Sequence, residues 1–278
     1  MIKYKSAYRL NKYIQKQKKL GKTVGFIPTM GALHQGHLSL IQAAKNECDI
    51  AVCSVFVNPT QFNKASDLEK YPRNLDADAI LLESVACDVL FNPSVKTIYP
   101  DGADRFDAPK VGDMLDVLEG EHRPGHFQGV MQVISLLLDI IDPTQLYMGL
   151  KDFQQFAICS KMVEMQGRAV EMRGMPTVRE ANGLAMSSRN ERVSAAAKNS
   201  AGIIYESLQL VKDNLDNYSI IELKNMAKKH IASLKGGELE YFEIVSQKTL
   251  RVPEKKVELI ALCAVWLEGI RLIDNIIL

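Results

Sequence analysis

The sequence predicts an α/β fold, a doubly wound parallel sheet, followed by a smaller α+β domain. Three observations carry this. Apolar, β-branched runs such as "TVGFI" and "DIAVCSVFV" lack the alternation of a half-exposed sheet and suit strands covered on both faces. Helix-like stretches separate such runs through the first 176 residues, as in βαβ units. Beyond them the pattern changes to a polar connection, two helical stretches and further strand-like runs, giving expected domains of 1–176 and 177–278.

The elements follow in order. A basic amphipathic helix over about 4–19 precedes the strand "TVGFI", and a helix near 36–47 follows it. Next come the strand "DIAVCSVFV", a helix over "NLDADAILLESVA" and the strand "DVLF". "GHFQGVMQVISLLLDII" has the continuous apolar character of a largely buried helix, "QLYMG" that of a short strand. "DFQQFAICSKMVEMQ" is a further helix and "AVEMRG" the strand that completes the first domain. In the second domain, helical stretches at about 194–214 and 219–234 lead to strand-like "EYFEIVS" and "VELIALCAVWLEG", then the terminal "RLIDNIIL".

Composition narrows the partners. The chain has 278 residues, 47% hydrophobic and 24% charged, enough for a sizeable core. Its 34 basic and 33 acidic residues leave +1, too weak a field to gather nucleic acid or coat an anionic membrane, so a small-molecule partner is expected. Five cysteines form no C-x-x-C pair and suit reduced, buried thiols in a reducing compartment. The N-terminus lacks a signal-peptide pattern and no run approaches a membrane span of about 20 apolar residues, so the expected location is the cytoplasm.

Several segments carry candidate chemistry. "PTMGALHQGH" leaves the first of these strands and enters a helix, the place where open α/β sheets bind ligands. Backbone N–H groups and the dipole at a helix start favour an anion. His34 would lie just before the helix and His37 in its first turn, with Gly31 and Gly36 permitting close backbone approach. Imidazoles there can donate to phosphate oxygens and carry a proton near neutral pH; they can equally cap or pack. His122 and His126 in "EHRPGHF" raise a metal reading, against which stand the intervening Pro-Gly and the lack of an H-E-x-x-H or cysteine pattern.

In "GLKDFQQ", Lys151 offers a phosphate a point charge at a second strand end. Alternatively, Asp152 and Gln155 form a capping box and Lys151 is solvated. In "GLAMSSRN", two hydroxyls and an Arg make a compact donor set for triphosphate oxygens, in a connection suited to a lid. Ser188 can also cap the next helix with Glu191. "FVNPTQF" sets Gln61 beyond a Pro turn, where its amide can donate and accept, or is simply a loop glutamine. Asp76 and Asp78 are by default solvated helix carboxylates, with magnesium the minority reading.

In order and spacing, "PTMGALHxGH", "SVFVNPTQF", "YPR", "RPGHFxGV", "GxKDFQQ", "PTVRExxGLAMSSRN" and "RLIDN" together resemble the pantoate:β-alanine ligases over nearly the whole chain. That family falls in the nucleotidylyltransferase superfamily shared with class I aminoacyl-tRNA synthetases. H-x-G-H is the counterpart of the HIGH signature, and "MSSRN" takes the part of KMSKS. The resemblance implies a Rossmann-like, HIGH-type nucleotidylyltransferase fold with a C-terminal lid domain, and a homodimer. It implies condensation of pantoate with ATP to pantoyl adenylate and pyrophosphate, after which β-alanine displaces AMP to give pantothenate.

By motif position the resemblance assigns ATP contacts to Met30, Gly31, Ala32, Leu33, His34, Gly36 and His37, with His37 as proton donor. It further assigns ATP to Gly149, Lys151, Asp152, Val178, Met186, Ser187, Ser188 and Arg189. Gln61 and Gln155 would hold pantoate, and Gln61 also β-alanine. His34, His37, Lys151 and Arg189 would stabilise charge on the transferring phosphorus, aided by Mg²⁺ whose protein ligands are unassigned. Leu150 stands where many relatives carry a polar residue. Two other functions are compatible with the fold: a nucleotidylyltransferase that stops at an adenylylated product, and a noncatalytic nucleotide-binding regulator.

Overall fold

The computed structural model of the chain describes residues 1–62, 68–69, 71–103, 108–253 and 255–278. They form two compact units, one of Met1–Leu150 with Gln155–Met175, the other of Lys151–Gln154 with Pro176–Leu278. The second unit thus begins one residue before the border expected at 176/177, and it includes the four residues that follow Leu150.

In the first unit the strands are β1 (Ile2–Tyr4), β2 (Val24–Thr29), β3 (Ile50–Val55), β4 (Val89–Phe91), β5 (Gln145–Gly149) and β6 (Glu171–Met175). All pair in parallel, in the order β1-β4-β3-β2-β5-β6. The connecting helices are α1 (Ala7–Lys18), α2 (Gln35–Glu47), α3 (Leu75–Ser84), α4 (Val95–Ile98), α5 (Glu119–His122), α6 (His126–Ile141) and α7 (Phe153–Met165). From β2 the chain winds outward through β3 and β4, whereas β5 and β6 continue on the other side of β2. The order therefore reverses between β2 and β5, and sheets of this Rossmann-like kind bind ligands outside the carboxyl ends of the strands at such a point.

Burial explains the unalternating strands. Every residue of β3 is buried, and Ile27, Cys53 and Leu90 pack with Leu38, Ile41 and Ala44 of α2 and Leu82 of α3. The helix expected over 4–19 starts only at Ala7, because Ile2–Tyr4 forms the edge strand beside β4 and Ser6 caps the helix by accepting from Arg9 N–H. No described helix is long and apolar enough to cross a membrane.

The second unit holds α8 (Ala195–Ser200), α9 (Ile203–Asp213) and α10 (Ile220–Ile231), with antiparallel β7 (Gly237–Ser246), β8 (Leu259–Leu267) and β9 (Ile270–Ile277). The helix expected over 194–214 is two helices. The Asn182 amide donates to the carbonyls of Lys198 and Asn199 and ties off the first of them. Ser219 and Glu222 close a capping box on α10. Leu208, Val211, Leu223 and Ile231 bury their apolar faces against Phe242, Ala261, Cys263 and Val265.

Candidate active site

The first unit presents three loops at the carboxyl ends of adjacent parallel strands. The loop after β2 runs through Met30–Leu33 into α2 with two left-handed residues, Gly31 at φ +83° and Ala32 at φ +51°. A Cβ on Gly31 would lie 2.8 Å from Asp78 Oδ2, so only glycine fits. The strained Ala32 is held from the same direction: Asp78 accepts from Leu33 N–H at 2.8 Å and from Ala32 N–H at 3.2 Å. Asp78 is 2% exposed, which corrects the expectation of a solvated carboxylate. Its partners are backbone groups 45 and 46 positions away, invisible to helical periodicity.

The two histidines do cap. His34 is the N-cap of α2 and its Nδ1 accepts from Gly36 N–H at 3.1 Å, while His37 Nδ1 accepts from His34 N–H at 3.3 Å. Their rings stand 4.1 Å apart. A backbone N–H can only donate, so both Nδ1 atoms are acceptors and each neutral ring carries its proton on Nε2. The capping and phosphate-donor readings are therefore compatible: the cap selects the tautomer that makes Nε2 a donor. A second proton on either Nδ1 would break its bond to the backbone N–H.

Gln61 is buried and ends a single 3₁₀ turn, Pro59–Gln61, after β3. Asn58, at the N-cap, accepts from Tyr99 OH at 2.8 Å and donates to Gly129 carbonyl at 3.1 Å, tying the turn to α6. Gly129 allows that approach, since a Cβ there would sit 2.3 Å from Thr60 carbonyl oxygen. His126, in the first turn of α6, has Nδ1 2.9 Å from Gln61 carbonyl oxygen. The "RPGHF" histidine thus supports the glutamine turn. Among the described residues no cluster of three or more His, Cys, Asp or Glu is arranged to hold a metal ion.

Gly149 closes β5, next to β2, with no atom within 4 Å of where its Cβ would stand. Leu150 has its side chain on β6, with Cδ2 2.7 Å from the position of a Cβ on Gly174. Gln155, in α7, is half-buried.

In the second unit, the Lys151 side chain is only 17% exposed and lies 3.4 Å from Asp152 Oδ1, which replaces the solvated alternative. Val178 and Met186 face each other in a hairpin, where Met186 N–H donates to Val178 carbonyl at 2.9 Å and Arg179 bridges to Ala185. Asn190, buried, donates to Glu180 Oε1 at 2.8 Å and to Ala185 carbonyl at 3.0 Å, fixing the hairpin to "MSSRN". The cap in this motif is Ser187, whose Oγ accepts from Arg189 N–H at 3.2 Å, which replaces the alternative of a Ser188 cap. Ser188 opens a 3₁₀ turn and Arg189 is exposed.

Sequence reasoning passed over Arg179 and Asp274, whose side chains form a two-pronged ion pair with N···O distances of 2.6 and 3.0 Å, the carboxylate buried and the guanidinium partly so. Burial pushes the Asp274 carboxyl above its usual range, against the pull of Arg179. The available signal was the polar pair inside "RLIDNIIL"; for Asn58 it was Asn before a Pro turn. All five thiols are buried, and burial raises Cys87 to about 11 and Cys159 to about 12, so neither is a thiolate nucleophile.

Comparison with known proteins agrees with this architecture. Residues 3–277 match the family model described as Pantoate-beta-alanine ligase. The pantothenate synthetase of Cytophaga hutchinsonii is 40% identical over 284 residues, covering 100% of this chain and 99% of that protein. The crystal structure of pantothenate synthetase from Thermus thermophilus superposes with a TM-score of 0.92 at 36% identity, covering 99% of each chain. That of the Francisella tularensis ligase, described as complexed with beta-gamma ATP and beta-alanine, gives 0.81 at 37% identity, covering 100% of this chain and 97% of that one. The chain belongs to the pantoate–β-alanine ligase family.

Proposed function

We propose that the chain condenses pantoate with β-alanine to pantothenate at the expense of ATP, through pantoyl adenylate, with AMP and pyrophosphate as the other products. The observation that carries this reading, beyond family membership, is the pair His34–His37 at the start of α2, two Nε2–H donors fixed by one capping box beside a strained loop.

The pantoate carboxylate, with an ordinary pKa of about 4, is already ionised and needs no general base; the difficulty is bringing it to a polyanion. One carboxylate oxygen attacks the α-phosphorus and the bond to pyrophosphate breaks. His34 and His37 donate to triphosphate oxygens, His37 to the departing group, and Lys151 and Arg189 supply the positive charge. Backbone of Met30, Gly31, Ala32, Leu33, Gly36, Gly149, Asp152, Val178 and Met186, with the hydroxyls of Ser187 and Ser188, completes the nucleotide contacts. Gln61 and Gln155 hold pantoate, and Gln61 also orients β-alanine. The β-alanine ammonium gives up a proton, the free amine attacks the acyl carbon, AMP leaves with the former carboxylate oxygen, and the second proton is released as the amide forms.

Magnesium in this reading would arrive on the triphosphate, which would supply most of its ligands. Bound there it neutralises charge on the phosphates. The five buried thiols suit a reducing cytoplasm, and the partner, as the resemblance implies, is a second copy of the chain. The test is a coupled pyrophosphate-release assay with pantoate. Wild type is expected to release AMP and pyrophosphate in equal amounts with pantoate and β-alanine present, and His37→Ala to lose most of the rate. ADP as product would exclude the reaction, pantothenate formation excludes a plain nucleotidylyltransferase or a noncatalytic binder, and a near-normal His37→Ala rate would remove that residue from its role.

A further inference from the structure

We infer that Asp274 and Asn275 of β9 are positioning residues for adenylation, one dipeptide fixing both the Lys151 backbone and the hairpin that carries Val178 and Met186. The inference rests on the reading of Lys151 as a phosphate-binding residue. Asn275, buried, donates through Nδ2 to the Lys151 carbonyl at 2.7 Å, across 124 positions of sequence. Its neighbour Asp274 takes Arg179 in the two-pronged ion pair.

Arg179 in turn donates to Gly183 carbonyl at 3.0 Å within the hairpin and to Asn275 carbonyl at 3.3 Å, and its guanidinium lies 3.6 Å from the Tyr205 ring centroid. The planar guanidinium is thus held by a carboxylate, two carbonyls and a ring face, which leaves it one orientation. Neighbouring residues of a strand point to opposite faces, so two consecutive side chains can hold two separate segments.

Holding the sheet together does not account for this pair. A buried ion pair is often no more stabilising than apolar residues of the same volume, and a buried amide is costly unless hydrogen-bonded. In the apolar strand "RLIDNIIL" two apolar residues would serve packing as well. What the polar pair adds is orientation. Lys151 lies two residues beyond the end of β5, and fixing its carbonyl fixes the Cα from which the ammonium reaches. A shift of about 1 Å in such a group can cost as much as a hundredfold in rate.

The test is a double-mutant cycle on the full chain: wild type, Lys151→Ala, Asn275→Ala and the double variant, each measured for pantoate-dependent pyrophosphate release and for melting. Asn275→Ala is expected to lower kcat/KM for ATP about tenfold, the loss of one hydrogen bond's worth of positioning, with KM for β-alanine unchanged. In the Lys151→Ala background the same substitution is expected to change kcat/KM less than about twofold, because its target is gone. Additive losses, or Asn275→Ala lowering only the melting temperature with kinetic constants intact, would overturn the inference and leave Lys151's role standing. A Lys151→Ala protein with wild-type kinetics would instead overturn the reading beneath it. Where Asn275→Ala does not fold, Asn275→Asp keeps the volume and removes the donor; a near-wild-type rate there also overturns the inference.

Discussion

Asp78→Asn probes the support of the histidine loop without changing side-chain volume. Asp78 makes two charge-assisted hydrogen bonds, at 2.8 Å to Leu33 N–H and 3.2 Å to Ala32 N–H, and at 2% exposure water screens neither. The asparagine keeps one acceptor and turns an amide NH₂ toward the other N–H, so one bond is lost and a buried donor is left unmatched. Hydrogen bonds to charged groups are worth about 1.5–3 kcal/mol, and we take about 2 kcal/mol as the cost. For a unit of this size that corresponds to a melting shift of about 4–8 °C. The kinetic effect follows from Ala32, whose φ of +51° is sustained by the contact. Once it relaxes, His34 loses its placement and kcat/KM for ATP falls at least about tenfold. Differential scanning fluorimetry and pyrophosphate release read the two effects. A variant melting within about 1 °C of wild type, with unchanged kcat/KM for ATP, would refute the argument.

Gly129→Ala places a Cβ 2.3 Å from Thr60 carbonyl oxygen and must displace the Gln61 turn, so KM for pantoate rises about tenfold while KM for ATP holds; an unchanged pantoate KM contradicts this. His34→Asn substitutes another good N-cap, which keeps α2 within about 1 kcal/mol of wild-type stability but removes the Nε2 donor; full activity in this variant would assign His34 to capping alone. Hydrogen bonds hold four carboxyls below their ordinary values: Thr23 N–H for Asp49, Arg173 for Glu171, Ser219 Oγ for Glu222 and Ser194 N–H for Glu268. Their stabilisation is present above about pH 4.5 and is lost as pH falls through the lowered values, so the melting temperature drops on acidification below about pH 4.5. Glu222→Gln should flatten that acid limb, and an unaltered limb would show that the Ser219 box is not part of it.

The sequence made the sheet legible because β3 and its neighbours are apolar without alternation, and it made three of the motifs legible because they follow the ends of β2, β3 and β5. It hid the contacts that aim those motifs. Asp78 looks like an ordinary first-turn carboxylate of α3, and only the folded chain turns it onto Ala32 and Leu33. Gly129 looks like a weak helix residue until Thr60 is seen against it. Asp274 and Asn275 meet partners 95 and 124 positions away. Periodicity reports burial within one element, whereas these are pairings of polar groups between elements, set by topology. The edge strand Ile2–Tyr4 escaped for a related reason: three residues carry too little pattern, and its pairing with β4 defines it.

A carboxylate activated as an acyl adenylate gives up one of its oxygens, and the fate of that oxygen tests the reaction. Pantoate labelled with ¹⁸O in its carboxylate, turned over with ATP and β-alanine, should deliver one labelled oxygen to the phosphate of AMP and leave pyrophosphate unlabelled. Label in inorganic phosphate, accompanied by ADP, would mean activation as an acyl phosphate and would contradict the account.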